Sequence, residues 1–342
     1  MKDRAANLTK PGSIFSEDRV VKMLGTRFGA RRRIVEKGIG DDAAVLRLPG
    51  ALEKWVVTTD MLVEDVDFRR AWQTPEQLGA RALSVNISDL AAMGARPRYY
   101  TVALGIPSGI GERWIEAFYR GLTSAGARHG AVLIGGDLSL VPCDLVITIT
   151  AVGESLGGRL LYRSGGRTGD VLYVTEVLGK AAAGLALLER GQVRGRTAAQ
   201  RAALDAHRGP VPRCTAGLWL AQSGLAGAMM DLSDGLSMDL PRLCEASVAG
   251  AEILLSQLPV FREAGAWGCD PAELALHGAE DFELLFSIRA EKVARFEASY
   301  PRSLPRVTRI GRLTRNREIV CIAAPGARPR PLPRKGFDHF LK

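Results

Sequence analysis

Cysteine is scarce and scattered: five residues, Cys143, Cys214, Cys244, Cys269 and Cys321, with no C-x-x-C pair. An odd number without paired spacing excludes a disulfide framework and a cysteine zinc site, and the thiols read as reduced and mostly buried. No stretch approaches the roughly 20 consecutive apolar residues of a membrane span. The opening "MKDRAANLTKPGS" lacks the apolar core of a signal peptide, so a cytoplasmic chain with no membrane partner is expected. The four histidines, His129, His207, His277 and His339, show no metal-ligand spacing. Neither G-x-S-x-G nor H-E-x-x-H occurs, and "VLGKAA" lacks the earlier glycine and the hydroxyl of a phosphate-binding P-loop.

What is present is globular. The 342 residues are 46% hydrophobic and 24% charged, enough for two domains with real cores. The formal charge of +9 admits a nucleic-acid partner, but the one dense basic run, Arg31-Arg32-Arg33, is short and carries no interleaved aromatics. Solvated arginines, or a phosphorylated small molecule, fit the charge better, and no nucleic-acid partner is expected.

The pattern reads as alternating strands and helices, an α/β or α+β arrangement. Ser13 to Phe28 reads as a first helix. "TPEQLGARALSVNISDLAAMG" is the clearest one: Thr74 caps it, Pro75 suits the first turn, and Gln77 completes a capping box. Its apolar side carries Leu78, Ala82, Leu83, Ile87 and Leu90, while Asn86 and Asp89 share another face. Strands are read at "AAVLRL", "KWVVTTD", "YYTVALGIP", "AVLIGGD" and "LVITITAVGE". The glycine-rich "LYRSGGRTGD" marks a break, which sets domains at 1–155 and 156–342. The second half adds helices near 197–207 and 213–223, and strands such as "AMMD" and "FELLFSIR".

Carboxylates recur where apolar runs meet Gly, Ser or Thr: Asp41-Asp42 in "GIGDDA", Asp60 in "TTD", Asp89 in "NISD", Asp137 in "IGGD", Asp231 and Asp234 in "DLSDG", and Glu280-Asp281 in "GAED". Taken singly, each reads as a turn or cap residue. Taken together at strand ends, they would repel one another unless cations held them, and all-oxygen ligands suit magnesium, calcium or manganese. Several magnesium ions beside glycine-rich turns point to a nucleotide phosphate site. On this reading a metal makes the adjacent Asp41 and Asp42 tolerable. "GIGDDA" also fits a relaxed dinucleotide fingerprint, but its carboxylates would face the pyrophosphate and a strand follows instead of a helix.

Eight segments then occur in order: "GIGDDAAV", "TTDMLVEDVDF", "NISDLAAMGARP", "LIGGDLS", "YRSGGRTGD", "DLSDGLSMDL", "GAEDFELLF" and "KGFDHF". Together they resemble the thiamine-monophosphate kinase family, within the aminoimidazole-ribonucleotide synthetase superfamily, from about residue 15 to the C-terminus. The resemblance implies an N-terminal domain pairing its sheet across a homodimer and a C-terminal α/β domain. It also implies ATP-dependent phosphorylation of thiamine monophosphate to thiamine diphosphate, with several Mg2+ ions. By position, it assigns metal binding to Asp42, Thr59, Asp60, Asp89, Asp137, Asp231 and Asp234. ATP contacts fall on Gly136, Arg163 and Ser233, and substrate contacts on Asp67, Glu280 and Phe337. The family commonly carries histidine where this chain has Asp67. Ser139 falls one place late after "GGD", and Glu176 stands where a small or polar residue is common.

The acceptor phosphate, mostly ionised at neutral pH, needs no general base. Catalysis then reduces to positioning two polyanions and cancelling their repulsion. Two alternatives stay open: a superfamily relative that activates an amide or carbonyl oxygen, and a thiamine-phosphate or ATP binder that does not turn over.

Overall fold

The computed structural model describes residues 16–29 and 33–340. Ser13 and the Arg31 and Arg32 of the basic run lie outside the described residues. Helix α1 (Glu17–Phe28) starts a turn later than the sequence suggests, because Ser16 takes the N-cap and its hydroxyl accepts from the Arg19 N–H.

Two sheets organise the chain. The first contains β1 (Val35–Lys37), β2 (Ala44–Leu46), β3 (Trp55–Val63), β4 (Arg96–Pro107), β5 (Val132–Val141) and β6 (Val146–Glu154), in the spatial order β1-β2-β3-β6-β4-β5. Only β4 and β5 run parallel. The second contains β7 (Val171–Thr175), β8 (Ala226–Leu232), β9 (Gly250–Leu254), β10 (Glu283–Ile288), β11 (Val307–Thr314), β12 (Ile319–Ile322) and β13 (Arg330–Pro331), ordered β13-β12-β9-β11-β7-β10-β8. Both sheets are mixed, and helices cover them, which is the α+β form of the expected class.

Helix α2 (Pro75–Ala92) carries the Thr74–Gln77 capping box read from the sequence. Its apolar residues pack on the first sheet, where Val56, Val102, Ile147 and Ile149 line the buried face. Glycines set how closely α3 (Glu112–His129) approaches: a Cβ on Gly79 would lie 2.0 Å from the Phe118 carbonyl oxygen, and one on Gly121 1.8 Å from that of Glu76. The other side of α2 is buried as well, against β8 and α6 (Cys214–Ser223) of the second half. A helix buried all round must satisfy its polar side chains internally. Arg81, Asn86, Ser88 and Asp89 therefore meet partners from distant segments, and this places the site.

The second sheet is covered by α7 (Leu236–Ala246), α8 (Pro271–His277) and α9 (Val293–Ser299), with a core of Leu172, Val174, Met230, Leu240 and Leu285 among others, while α4 (Lys180–Glu189) and α5 (Ala198–Arg208) pack on each other in a separate cluster. No described helix is long and apolar enough to cross a membrane.

The structure corrects the reading of "IGGD" as a strand end. β5 runs on through Gly135, Gly136 and Asp137 to Val141, in register with β4. Gly136 has a packing reason to be glycine, since a Cβ there would lie 2.0 Å from the Val102 carbonyl oxygen. Asp60 likewise sits within β3, not at its end.

Candidate active site

The adjacent carboxylates of the bend before β2 are separated by their partners. Asp42 is buried, and its Oδ1 accepts from Arg163 Nε at 3.0 Å and Nη2 at 2.6 Å. Asp41 lies 2.9 Å from Lys37 Nζ and accepts the Arg163 backbone N–H at 3.1 Å. The protein's own cations thus offset the repulsion that the sequence reading assigned to a metal. Arg163, expected at nucleotide phosphates, is already committed to Asp42. This contact also ties the bend to the segment joining the two sheets.

Asp42 still has a buried oxygen, Oδ2, without a hydrogen-bond partner. Asp89, from the last turn of α2, and Asp231, from β8, converge on it. One carboxylate oxygen from each of the three lies within 4.8 Å of the others. Thr58 Oγ1 donates to Asp89 Oδ2 at 2.5 Å, and Ser88 Oγ to Asp231 Oδ2 at 2.6 Å. Burial and mutual repulsion push Asp42 up to about 7 and Asp231 up to about 6, and hold Asp89 well above the carboxylate range. Two buried carboxylates and a partly buried one, with an orphaned oxygen among them, fit a hard divalent cation, whose charge would reverse these shifts.

Asp60 lies beside this cluster. Its backbone N–H donates to Asn86 Oδ1 at 3.1 Å, and burial with neighbouring Asp234 and Asp67 raises its carboxyl to about 6. Thr59 Oγ1 is turned instead to the Ile149 carbonyl, at 3.0 Å, and to Thr150. Asp234 is held by Arg242, whose Nη1 reaches Asp234 Oδ2 at 2.5 Å and Asp239 Oδ1 at 2.9 Å while Nε binds Asp18 at 2.9 Å. Thr58, Ser88, Asp239 and Arg242 are all absent from the sequence-based site. The Asp239–Arg242 spacing of three on α7 was a usable signal for one pair; the contacts across the chain had none.

A cavity of about 610 Å³ opens over these groups, lined by Asp42, Asp60, Asp89, Arg163, Ser233 and Asp234. Asp67, Glu280, Phe337 and His339 line it too, with the Glu280 and Phe337 N–H groups donating to the Ser233 and Asp234 carbonyls at 2.7 and 3.1 Å. Asp67 Oδ2 accepts the Val63 N–H at 2.8 Å, closing the turn after β3, and Oδ1 lies 3.9 Å from His339 Nε2. That imidazole meets the Phe337 ring edge-on, with centroids 4.7 Å apart. Asp67 therefore has a local structural task, with a histidine from the C-terminal segment close by. Asp281 turns away from the cavity to accept the Gly179 and Ala181 N–H groups, at 2.6 and 3.2 Å, in the first turn of α4.

Gly136 and Asp137 do not join this cavity within one chain. Asp137 pairs with Ala103, Ala103 with Thr148, and Thr148 with Met61. Three strand spacings put Asp137 roughly 14 Å from the Asp60 end of β3. Asp60 shares its row with Ile149 and Val102 on the face under α2, whereas Asp137 lies on the opposite face.

Comparison with known proteins gives the family. Residues 40–155 match the N-terminal domain of AIR synthase related proteins, and residues 167–323 match their C-terminal domain. Within that class, the chain is 35% identical to the thiamine-monophosphate kinase of Bacillus subtilis over 309 residues, covering 90% of this chain and 94% of the relative. It is 38% identical to that of Escherichia coli over 318 residues, covering 92% and 95%. The solved structure of AaThiL complexed with AMPPCP and TMP superimposes with a TM-score of 0.83 at 29% identity, covering 97% of this chain and 99% of that one. The chain belongs to the thiamine-monophosphate kinase family.

Proposed function

We propose that this chain transfers the γ-phosphoryl group of ATP to thiamine monophosphate, giving ADP and thiamine diphosphate. The observation that carries the reading is the convergence of Asp42, Asp89 and Asp231 at the floor of the cavity, in a chain of this family. Asp42, Asp60, Asp89, Asp231 and Asp234 would hold Mg2+, while the Thr59 hydroxyl is engaged by the Ile149 carbonyl and Thr150. Bound magnesium supplies charge neutralisation for the phosphate oxygens. The protein's share is positioning. Arg163 partly offsets the cost of burying the Asp42 charge, and Arg163 and Ser233 both line the cavity that would take the nucleotide. Glu280, Asp67 and Phe337 line the same cavity and would meet the thiamine moiety, where two carboxylates and an aromatic ring suit a cationic thiazolium. The acceptor oxygen is already anionic, so no side chain is asked to remove a proton.

Gly136 and Asp137 enter this reading through a homodimer. In their own chain both lie three strands away, and Asp137 is on the opposite face, so they serve a site only when a second subunit brings them there. The first sheet exposes Met61, Ile134, Leu138 and Leu140, each 59% or more, which is apolar surface suited to such pairing. β5 is an edge strand, and β2 pairs with β3 only at Trp55–Val57, so β5 and the Thr58–Val63 part of β3 each have a strand partner on one side only among the described residues. The reaction is placed in the cytoplasm, where ATP is available.

The test is direct. Purified protein with ATP, thiamine monophosphate and MgCl2 should form thiamine diphosphate, resolved by chromatography, and EDTA should stop it. Magnesium-dependent ATP binding without diphosphate would instead favour the non-catalytic binder.

A further inference from the structure

Glu280 is held in a strained turn by two residues that sequence reasoning did not connect to it. Its φ of 69° is left-handed, which costs a non-glycine residue about 1 kcal/mol or more. The turn persists because it is pinned on both sides: the Glu280 N–H donates to the Ser233 carbonyl at 2.7 Å and the Phe282 N–H to that of Leu232 at 2.8 Å.

Behind the carboxylate lies Arg81, 1% exposed in the middle of α2. Its Nη2 donates to Glu280 Oε1 and, at 2.8 Å, to the Asp67 carbonyl. Its Nη1 donates to the His207 carbonyl at 3.0 Å and lies 3.3 Å from His207 Nε2. Arginine cannot accept, so Nε2 must be the unprotonated nitrogen, and the ring proton sits on Nδ1. Nδ1 lies 2.9 Å from Glu280 Oε2. The imidazole is itself fixed at the end of α5, where it packs edge-on against Trp72 at 6.2 Å between centroids. Each oxygen of Glu280 thus meets one nitrogen from the protein side, while the carboxylate keeps 24% of its side chain open to the cavity.

We propose that Arg81 and His207 are positioning residues that hold Glu280 as an ionised acceptor with its free lone pairs turned toward the substrate. This rests on the functional reading above. It deepens that reading by naming the residues that position its substrate-facing carboxylate.

The test is calorimetric binding of thiamine monophosphate to the full chain, with steady-state kinetics alongside. His207→Phe keeps a ring against Trp72 and removes both nitrogens. It should weaken thiamine monophosphate binding roughly ten-fold, the value of a hydrogen bond to a charged group, with KM for ATP unmoved. His207→Asn, whose amide can replace Nδ1, should recover most of that loss. In a Glu280→Gln background, His207→Phe should add less than about two-fold, because its effect runs through Glu280. Arg81→Lys, which keeps the charge without the fork, should show the same selective loss if His207→Phe folds poorly. An unchanged Kd in His207→Phe, or an equal loss with Glu280 already replaced, overturns the inference alone. A wild-type protein that does not bind thiamine monophosphate overturns the functional reading and the inference with it.

Discussion

Arg163 donates from both Nε and Nη2 to a single oxygen of Asp42, leaving Oδ2 of the same carboxylate buried and unpartnered. One carboxylate is thus half neutralised by the protein and half open to a cation. Arg163→Met would leave Asp42 buried without its counter-charge. Breaking a buried pair in this way should cost about 3–5 kcal/mol. Urea unfolding in EDTA should show that loss, and saturating Mg2+ should restore part of it, because the ion takes over the neutralisation.

Asp89 is the carboxylate that α2 carries into the cluster, supported by Thr58. Asp89→Asn keeps the shape and removes the charge. Turnover should fall roughly a hundred-fold or more, with the protein still folded by circular dichroism. Thr58→Val, which removes only the hydroxyl behind Asp89, should weaken Mg2+ activation without abolishing turnover.

The cluster should make magnesium binding pH-dependent. In the metal-free protein Asp42 is raised to about 7, and Asp60 and Asp231 to about 6, chiefly by burial. A carboxyl raised in the folded state contributes stability that is fully present below its unfolded value and is lost as pH rises through 6 to 7. Magnesium must displace those protons, so its effect runs the other way. Its stabilisation in thermal melts should be small near about pH 5.5 and large near about pH 8. A magnesium-induced rise in Tm that is equal at both would remove the cluster from the metal site.

Asp137 gives the sharpest test of the dimer. Asp89→Asn and Asp137→Asn homodimers should each be nearly inactive. Mixed and re-equilibrated, they should regain activity. In a mixed dimer one site then has an intact Asp89 and receives the partner subunit's Asp137. Mixtures that stay inactive would place Asp137 in its own chain's site or outside catalysis. Gly136→Ala should lower stability by about 1–3 kcal/mol through its clash with β4, whatever the nucleotide does.

Much of this was legible in the sequence because it is local. The Thr74–Gln77 box, the apolar stripe of α2 and the strand at "KWVVTTD" follow from neighbours within a few residues. The carboxylates were legible as a set because their flanks repeat. What escaped is long-range. Arg163 reaches Asp42 across 121 residues, Ser88 reaches Asp231 across 143, and Arg81 reaches Glu280 across 199. Arg81 reads as one more surface arginine until α2 is seen to be buried on both sides. The course of β5 through "GGD" was missed because paired glycines signal a turn, whereas here at least Gly136 makes room for the β4 backbone.

The central claim is direct phosphoryl transfer between two bound polyanions. Tracing the terminal phosphorus of [γ-32P]ATP tests it most directly. With thiamine monophosphate and Mg2+ present, the label should appear in thiamine diphosphate, one for each ADP formed. Label released only as inorganic phosphate, with thiamine monophosphate recovered unchanged, would contradict it.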